Sequence, residues 1–209
     1  MTQKYITVYH GSPNLFEKYD VSKAGKGSGK KYGLGFNLTD SMATAVQYSE
    51  YHHITSEEHY LYTVEMPELT EDNHLINAEP VAPSIIKRAE AKLGKTVPTE
   101  ETQKGKYFRK WIGMALTGGK EPGFEEEKAA ALFLDEIGVL CNVFPRHQPK
   151  DGRPLGPDDL RNYVVFNPDH VRIVKTEQFD IIRKGKKKIL VEGSLREITY
   201  PKPTSSPKA

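Results

Sequence analysis

The chain has 209 residues, 37% apolar and 28% charged, with a formal net charge of +2, which suits one folded domain with a small appendage and excludes both a disordered chain and a bulk nucleic-acid binder. No apolar run reaches the ~18 residues needed to span a bilayer, and residues 1–5 lack a signal-peptide core. The expectation is a protein of the cytoplasm with no membrane partner; an exported effector would work in the host or target-cell cytoplasm.

Residues 5–10 alternate Ile6, Val8 and His10 against Tyr5, Thr7 and Tyr9, a strand period that leaves His10 at a strand end. Gly11 permits close backbone approach, and Ser12-Pro13-Asn14 ends the strand. Phe16 and Tyr19 are expected to pack beneath the loop that follows. Residues 25–31 hold three glycines and three lysines. A Walker loop is excluded there, because Ala24 stands where glycine is required and Lys31 where Ser or Thr is required. A mobile solvated loop and a pyrophosphate-contacting loop both stay open. Thr39, Asp40 and Ser41 supply N-caps for a helix over about 42–52, on which Ala45 and Tyr48 share a face.

A strand is predicted over 59–66 and irregular chain over 75–83. Helical spacing over 84–93 and 102–116, closed by glycines, suggests an inserted subdomain or a cap over a cleft, spanning about 75–120. A third helix over 124–137 has Glu125 and Glu127 near its N-terminus, where negative charge is favoured. Strands follow at 139–144, 163–166 and 171–174. The single cysteine, Cys141, lies in an apolar run and reads as a buried, inert thiol. After Lys175 a hairpin is expected, with Arg183 to Lys188 as a basic, solvated tip. The predicted organisation is a domain over 1–175, a hairpin appendage over 176–200 and a disordered tail over 201–209. His52, His53 and His59 lie near one another without a His-Glu-x-x-His pattern, so they read as a solvated helix end and no metal is expected.

Tyr9-His10-Gly11-Ser12, then Gly33-Leu34-Gly35-Phe36-Asn37-Leu38-Thr39-Asp40, then Ala45-x-x-Tyr48, resembles the NAD-binding half of ADP-ribosyltransferases that use a His-Tyr-Glu triad. Leu134 to Val139 followed by Asn162-Tyr163-Val164-Val165-Phe166 is similar to the ending of such domains in phage and prophage polyvalent proteins, and the whole resembles these and the domains of bacterial ADP-ribosylating toxins. The resemblance covers roughly 9–174 and implies an α+β fold, with split antiparallel sheets around an NAD cleft and helices inserted between the halves. It implies that His10 bonds the adenosine-side ribose, Gly11 reads the nicotinamide amide through its backbone, Tyr48 stacks on the nicotinamide and Ser12 assists near the ribose. Tyr9, Gly33, Gly35, Phe36, Asn37 and Ala45 complete the implied cofactor-binding set. Asn37 stands where a second stacking aromatic is usual, Ala45 where a pocket serine is usual, and Asn162 where the triad glutamate is usual.

The activity implied is single-unit transfer of ADP-ribose from NAD, used as substrate, to a macromolecule, with protein preferred over nucleic acid as acceptor. Asn162 can accept a bond from a ribose hydroxyl but supplies no full negative charge. Two alternatives stand beside this reading: an NAD glycohydrolase, and a catalytically silent NAD- or ADP-ribose-binding module acting through protein contacts. A toxin or phage setting leaves room for a neutralising antitoxin or immunity protein.

Overall fold

A computed structural model describes residues 3–20, 31–50, 57–147, 153–156 and 158–200. Most of the glycine- and lysine-rich loop, His52, His53 and the tail beyond residue 200 lie outside the described residues.

The fold is mixed α/β. In chain order the elements are β1 (Tyr5–Ser12), β2 (Phe36–Thr39), α1 (Met42–Gln47), β3 (His59–Pro67), β4 (His74–Ile76), α2 (Pro83–Leu93), α3 (Thr99–Thr102), α4 (Gly105–Thr117), α5 (Phe124–Glu136), β5 (Cys141–Pro145), β6 (Arg161–Val165), β7 (Arg172–Phe179), β8 (Ile181–Lys184), β9 (Lys187–Leu190) and β10 (Arg196–Glu197). Eight strands form one sheet in the order β10-β7-β3-β1-β2-β6-β5-β4, and β8 and β9 form a separate ribbon. The halves join weakly. β1 is registered with β3 from Tyr5↔Pro67 to Ser12↔Tyr60, but with β2 only at Tyr9↔Thr39. Two four-stranded halves therefore hinge on one residue pair, where separate small sheets were expected.

Alternation sorts the side chains. On one face Val8, Phe36, Leu38, Tyr62, Val64, Val143, Tyr163 and Val165 build a core that crosses both halves. On the other face Ala45 and Val46 of α1 pack with Leu61 and Phe179 and with Ile181 and Leu190 of the ribbon. A third core joins α2, α4 and α5 through Ile85, Phe108, Ile112 and Leu134 to Leu34, Leu75, Val139 and Phe166. The inserted helices thus have their own apolar centre, sewn to the β2-β6-β5-β4 half. α5 stops because Gly138 takes the left-handed conformation, φ 79°, and the Val139 N–H returns to the Leu134 carbonyl.

The structure corrects several expected boundaries. The helix after β2 ends at Gln47, not near residue 52. Residues 75 and 76, expected to be irregular, belong with His74 to β4, parallel to β5. β7 runs through residue 175 to Phe179, because Thr63↔Lys175 through His59↔Phe179 continue its pairing with β3. The chain therefore stays in the main sheet beyond Lys175, and β10 returns to pair with β7. No helix among the described residues is long and apolar enough to cross a membrane.

Candidate functional site

The residues singled out in the sequence gather around the join between β1 and β2, but on both faces of the sheet. His10 lies on the face of the shared core. Its ring sits 4.8 Å from Phe36 and 5.9 Å from both Phe16 and Tyr62. Its Nδ1 is 2.7 Å from the Asn37 carbonyl oxygen. A carbonyl only accepts, so Nδ1 carries the proton and Nε2 is left as an acceptor. Burial lowers the His10 pKa to about 4, opposed by that bond. The imidazole is neutral at physiological pH, and among the described residues nothing occupies Nε2.

Across the join, Tyr9 is opposite Thr39, and Thr39 is opposite Asn162. Directly paired residues share a face, so Tyr9, Thr39 and Asn162 form one row, two strand spacings or about 10 Å from end to end. The same face carries Gly11, Asn37 and, opposite Asn162, Phe144. Asn162 is 6% exposed, and its amide has no side-chain partner among the described residues. Asp159, Glu136 and Asp40 are occupied in different ways. The Arg153 fork and the Gly156 N–H hold the Asp159 carboxyl down at about 2. Glu136 pairs with Lys92 at 2.6 Å. Asp40 accepts from the Arg161 N–H at 2.9 Å through Oδ2, while its buried Oδ1 has no partner among the described residues and burial raises its pKa.

α1 lies on the Tyr9–Asn162 side. Its start is set by Ser41, whose hydroxyl accepts from the Thr44 N–H at 3.2 Å. A Cβ on Gly11 would lie 1.8 Å from the Ala45 carbonyl oxygen, so glycine is required here by helix packing, whatever else its backbone does. Tyr48 caps α1 and is 55% exposed. Ala45 is 1% exposed, held in the core rather than lining a cavity. Ser12 is also buried, and its hydroxyl accepts from the Asn14 N–H at 3.0 Å, a local turn bond. Phe36 is fully buried and stacks on Tyr19, with ring centroids 4.2 Å apart, whereas Asn37 is exposed.

Gly33 and Gly35 also serve the fold. Gly33 has φ 121°, a backbone conformation that favours glycine, and a Cβ there would meet the Arg109 side chain only at ordinary contact distance; a Cβ on Gly35 would strike the Val165 carbonyl. The structure thus brings Tyr9, Asn37 and Asn162 to the face on which α1 packs. The His10 ring faces the other way and connects to that face through the Asn37 backbone.

Two features escaped the sequence reading. Arg146, just past β5, donates to the Thr44 hydroxyl of α1, tying one half of the sheet to the helix packed on the other. The ribbon, expected to be peripheral, docks on the end of α1. Gln47 and Lys188 exchange bonds through side chain and backbone, and the buried Glu50 carboxylate meets Arg183, Lys188 and His59. The common signal, a polar residue opposite a cation more than 100 positions away, has no local trace. Cys141 is a buried free thiol, and burial pushes its pKa up. Among the described residues no group of three His, Cys, Asp or Glu side chains could hold a metal ion.

No family model, curated protein or solved structure matches the chain.

Proposed function

We propose that the chain is an NAD-dependent mono-ADP-ribosyltransferase-like domain whose NAD site lies at the join of the two half-sheets. The observation that carries this reading is the presentation of His10. A neutral imidazole, fixed in one tautomer by the Asn37 carbonyl, offers Nε2 as an acceptor that has no partner among the described residues, beside the one-pair junction at Tyr9↔Thr39. A ribose hydroxyl is a donor suited to that nitrogen.

Breaking the bond between nicotinamide and ribose develops positive charge on the sugar. The protein's task is then to hold the ribose, orient the ring and stabilise that charge. In this reading His10 anchors one ribose, the Asn162 carbonyl receives a hydroxyl of the other, and exposed Tyr48 closes over the nicotinamide. Asn162 cannot act as a base toward a ribose hydroxyl, which favours single-unit transfer over polymer growth.

A second reading, a silent NAD- or ADP-ribose-binding module, is favoured by two observations. The His10 ring and Asn162 face opposite sides of the sheet, and no carboxylate stands in the Tyr9–Thr39–Asn162 row.

The deciding experiment incubates the protein with NAD labelled in the adenosine part, with and without cell lysate. Label on lysate protein supports the transferase. Free labelled ADP-ribose without acceptor indicates a hydrolase. Saturable NAD binding without turnover indicates the silent module, and no binding removes the NAD reading altogether.

A further inference from the structure

Away from the join, α4 and the start of α5 border an open cavity of about 270 Å³ lined by Lys31, Leu34, Lys106, Lys110, Gly123 and Glu127, among others. Its charge is one-sided. Lys106 and Lys110 stand one turn apart on α4, so their ammonium groups share a face, and Lys31 joins them from the segment before β2. Among the described residues none of the three pairs with a carboxylate. Lys31 instead sits 5.3 Å from the Tyr32 ring centroid.

Of the three acids in the first turn of α5, Glu125 is exposed and does not line the cavity, and the other two are engaged. Glu126 turns back to accept from the Gly123 N–H at 3.0 Å and the Thr117 hydroxyl at 3.0 Å. Glu127 is held by Arg109, whose side chain is fully buried and whose Nε and Nη2 have no acceptor among the described residues. Burial, then Lys106, then Arg109 lower the Lys110 pKa. Like charges gathered in this way repel unless something supplies the opposite charge.

We propose that this cavity binds a phosphate-bearing anion of the diphosphate class, with Lys106, Lys110 and Lys31 as its cationic wall and with the one lining carboxylate, Glu127, held by the buried Arg109 behind it. Two cations one helical turn apart can each take one phosphoryl group of a linked pair, and a third closes the opposite side. The volume exceeds what a single phosphate fills. The site shares no lining residue with His10, Tyr48 or Asn162 and does not rest on the transferase reading.

The test is calorimetric titration of the full chain with sodium pyrophosphate at low salt, repeated with inorganic phosphate and with a single-stranded RNA oligonucleotide. The expected result is saturable 1:1 pyrophosphate binding, tighter than phosphate and weakened roughly tenfold or more in a K106Q/K110Q double variant. Both residues are partly exposed, so the variant should fold. Its unfolding temperature without ligand should equal or exceed that of the parent, because the repulsion is relieved, and pyrophosphate should raise only the parent's. Three results would overturn the proposal: no saturable pyrophosphate binding, equal binding by the variant, or binding of the oligonucleotide alone. The last would make the lysines a nucleic-acid surface instead.

Discussion

Replacing Gly11 by alanine tests the central packing feature of the join. The added Cβ would lie 1.8 Å from the Ala45 carbonyl oxygen, 2.6 Å from its carbon and 3.1 Å from the Ser49 nitrogen. All three are backbone atoms, so no side chain can swing aside. Either β1 and α1 separate by more than an ångström, or α1 lifts off and exposes Val46, now 2% accessible, with its neighbours Leu61 and Phe179. The first route is severe overpacking, worth about 3 kcal/mol. The second forfeits the burial of a valine and part of two larger side chains, again about 3 kcal/mol. For a chain of this length each kcal/mol moves Tm by about 2–4 °C, so G11A should melt about 6–12 °C lower. The control is G138A, where a Cβ meets nothing within 4 Å and only the φ of 79° is strained; it should cost about 1 kcal/mol. The assay is urea denaturation of both variants followed by circular dichroism, with thermal melts alongside. If G11A were as stable as G138A, α1 would not be seated on β1 as described, and the placement of Tyr48 would fall with it.

Further expectations concern individual groups. The folded pKa of His10, about 4, lies below the unfolded value of about 6.5, so its contribution is complete above pH 6.5 and is lost as pH falls from there to about 4. Over that window the parent should lose about 1–3 kcal/mol more than H10Q, measured by urea denaturation at pH 7 and 4.5; equal losses would mean that His10 is not held neutral. Removing Arg109 alone (R109A) strands the Glu127 carboxylate and should cost about 3–5 kcal/mol, whereas an R109L/E127L double variant should recover most of it. Glu50→Gln removes the charge that gathers Arg183, Lys188 and His59, so β8 and β9 amides should exchange faster at a cost of about 1–3 kcal/mol; unchanged ribbon protection would count against the docking. On the transferase reading, Asn162→Ala should reduce label transfer from NAD about tenfold or more, while Asn162→Glu should produce no chains; polymer from the parent protein would contradict the role given to Asn162.

How much of this was legible in the sequence differs from residue to residue. Strand β1, which runs two residues past His10 to Ser12, strand β3 and helices α2, α4 and α5 all announce themselves through local periodicity and stops such as Gly138. These are properties of neighbours in the chain, so one sequence determines them. β4 is only three residues long and carries no period of its own; it exists because His74–Ile76 can pair beside β5. β7 passes Lys175 because β3 and β10 offer it partners on both sides.

The site divides in the same way. The residue types His10, Gly11, Gly33, Gly35, Tyr48 and Asn162 and their spacing can be read directly from the chain. Which face each side chain takes depended on a register fixed at the single pair Tyr9↔Thr39, since a shift of one residue would exchange the faces. Gly11 and Gly35 are glycines because the Ala45 and Val165 backbones press on them, and Gly33 because its φ is 121°, reasons visible only in three dimensions. The grip of Glu50 on the ribbon and the burial of Arg109 against Glu127 were likewise decided by tertiary structure, because desolvation and pairing depend on what surrounds a charge rather than on what adjoins it in the chain.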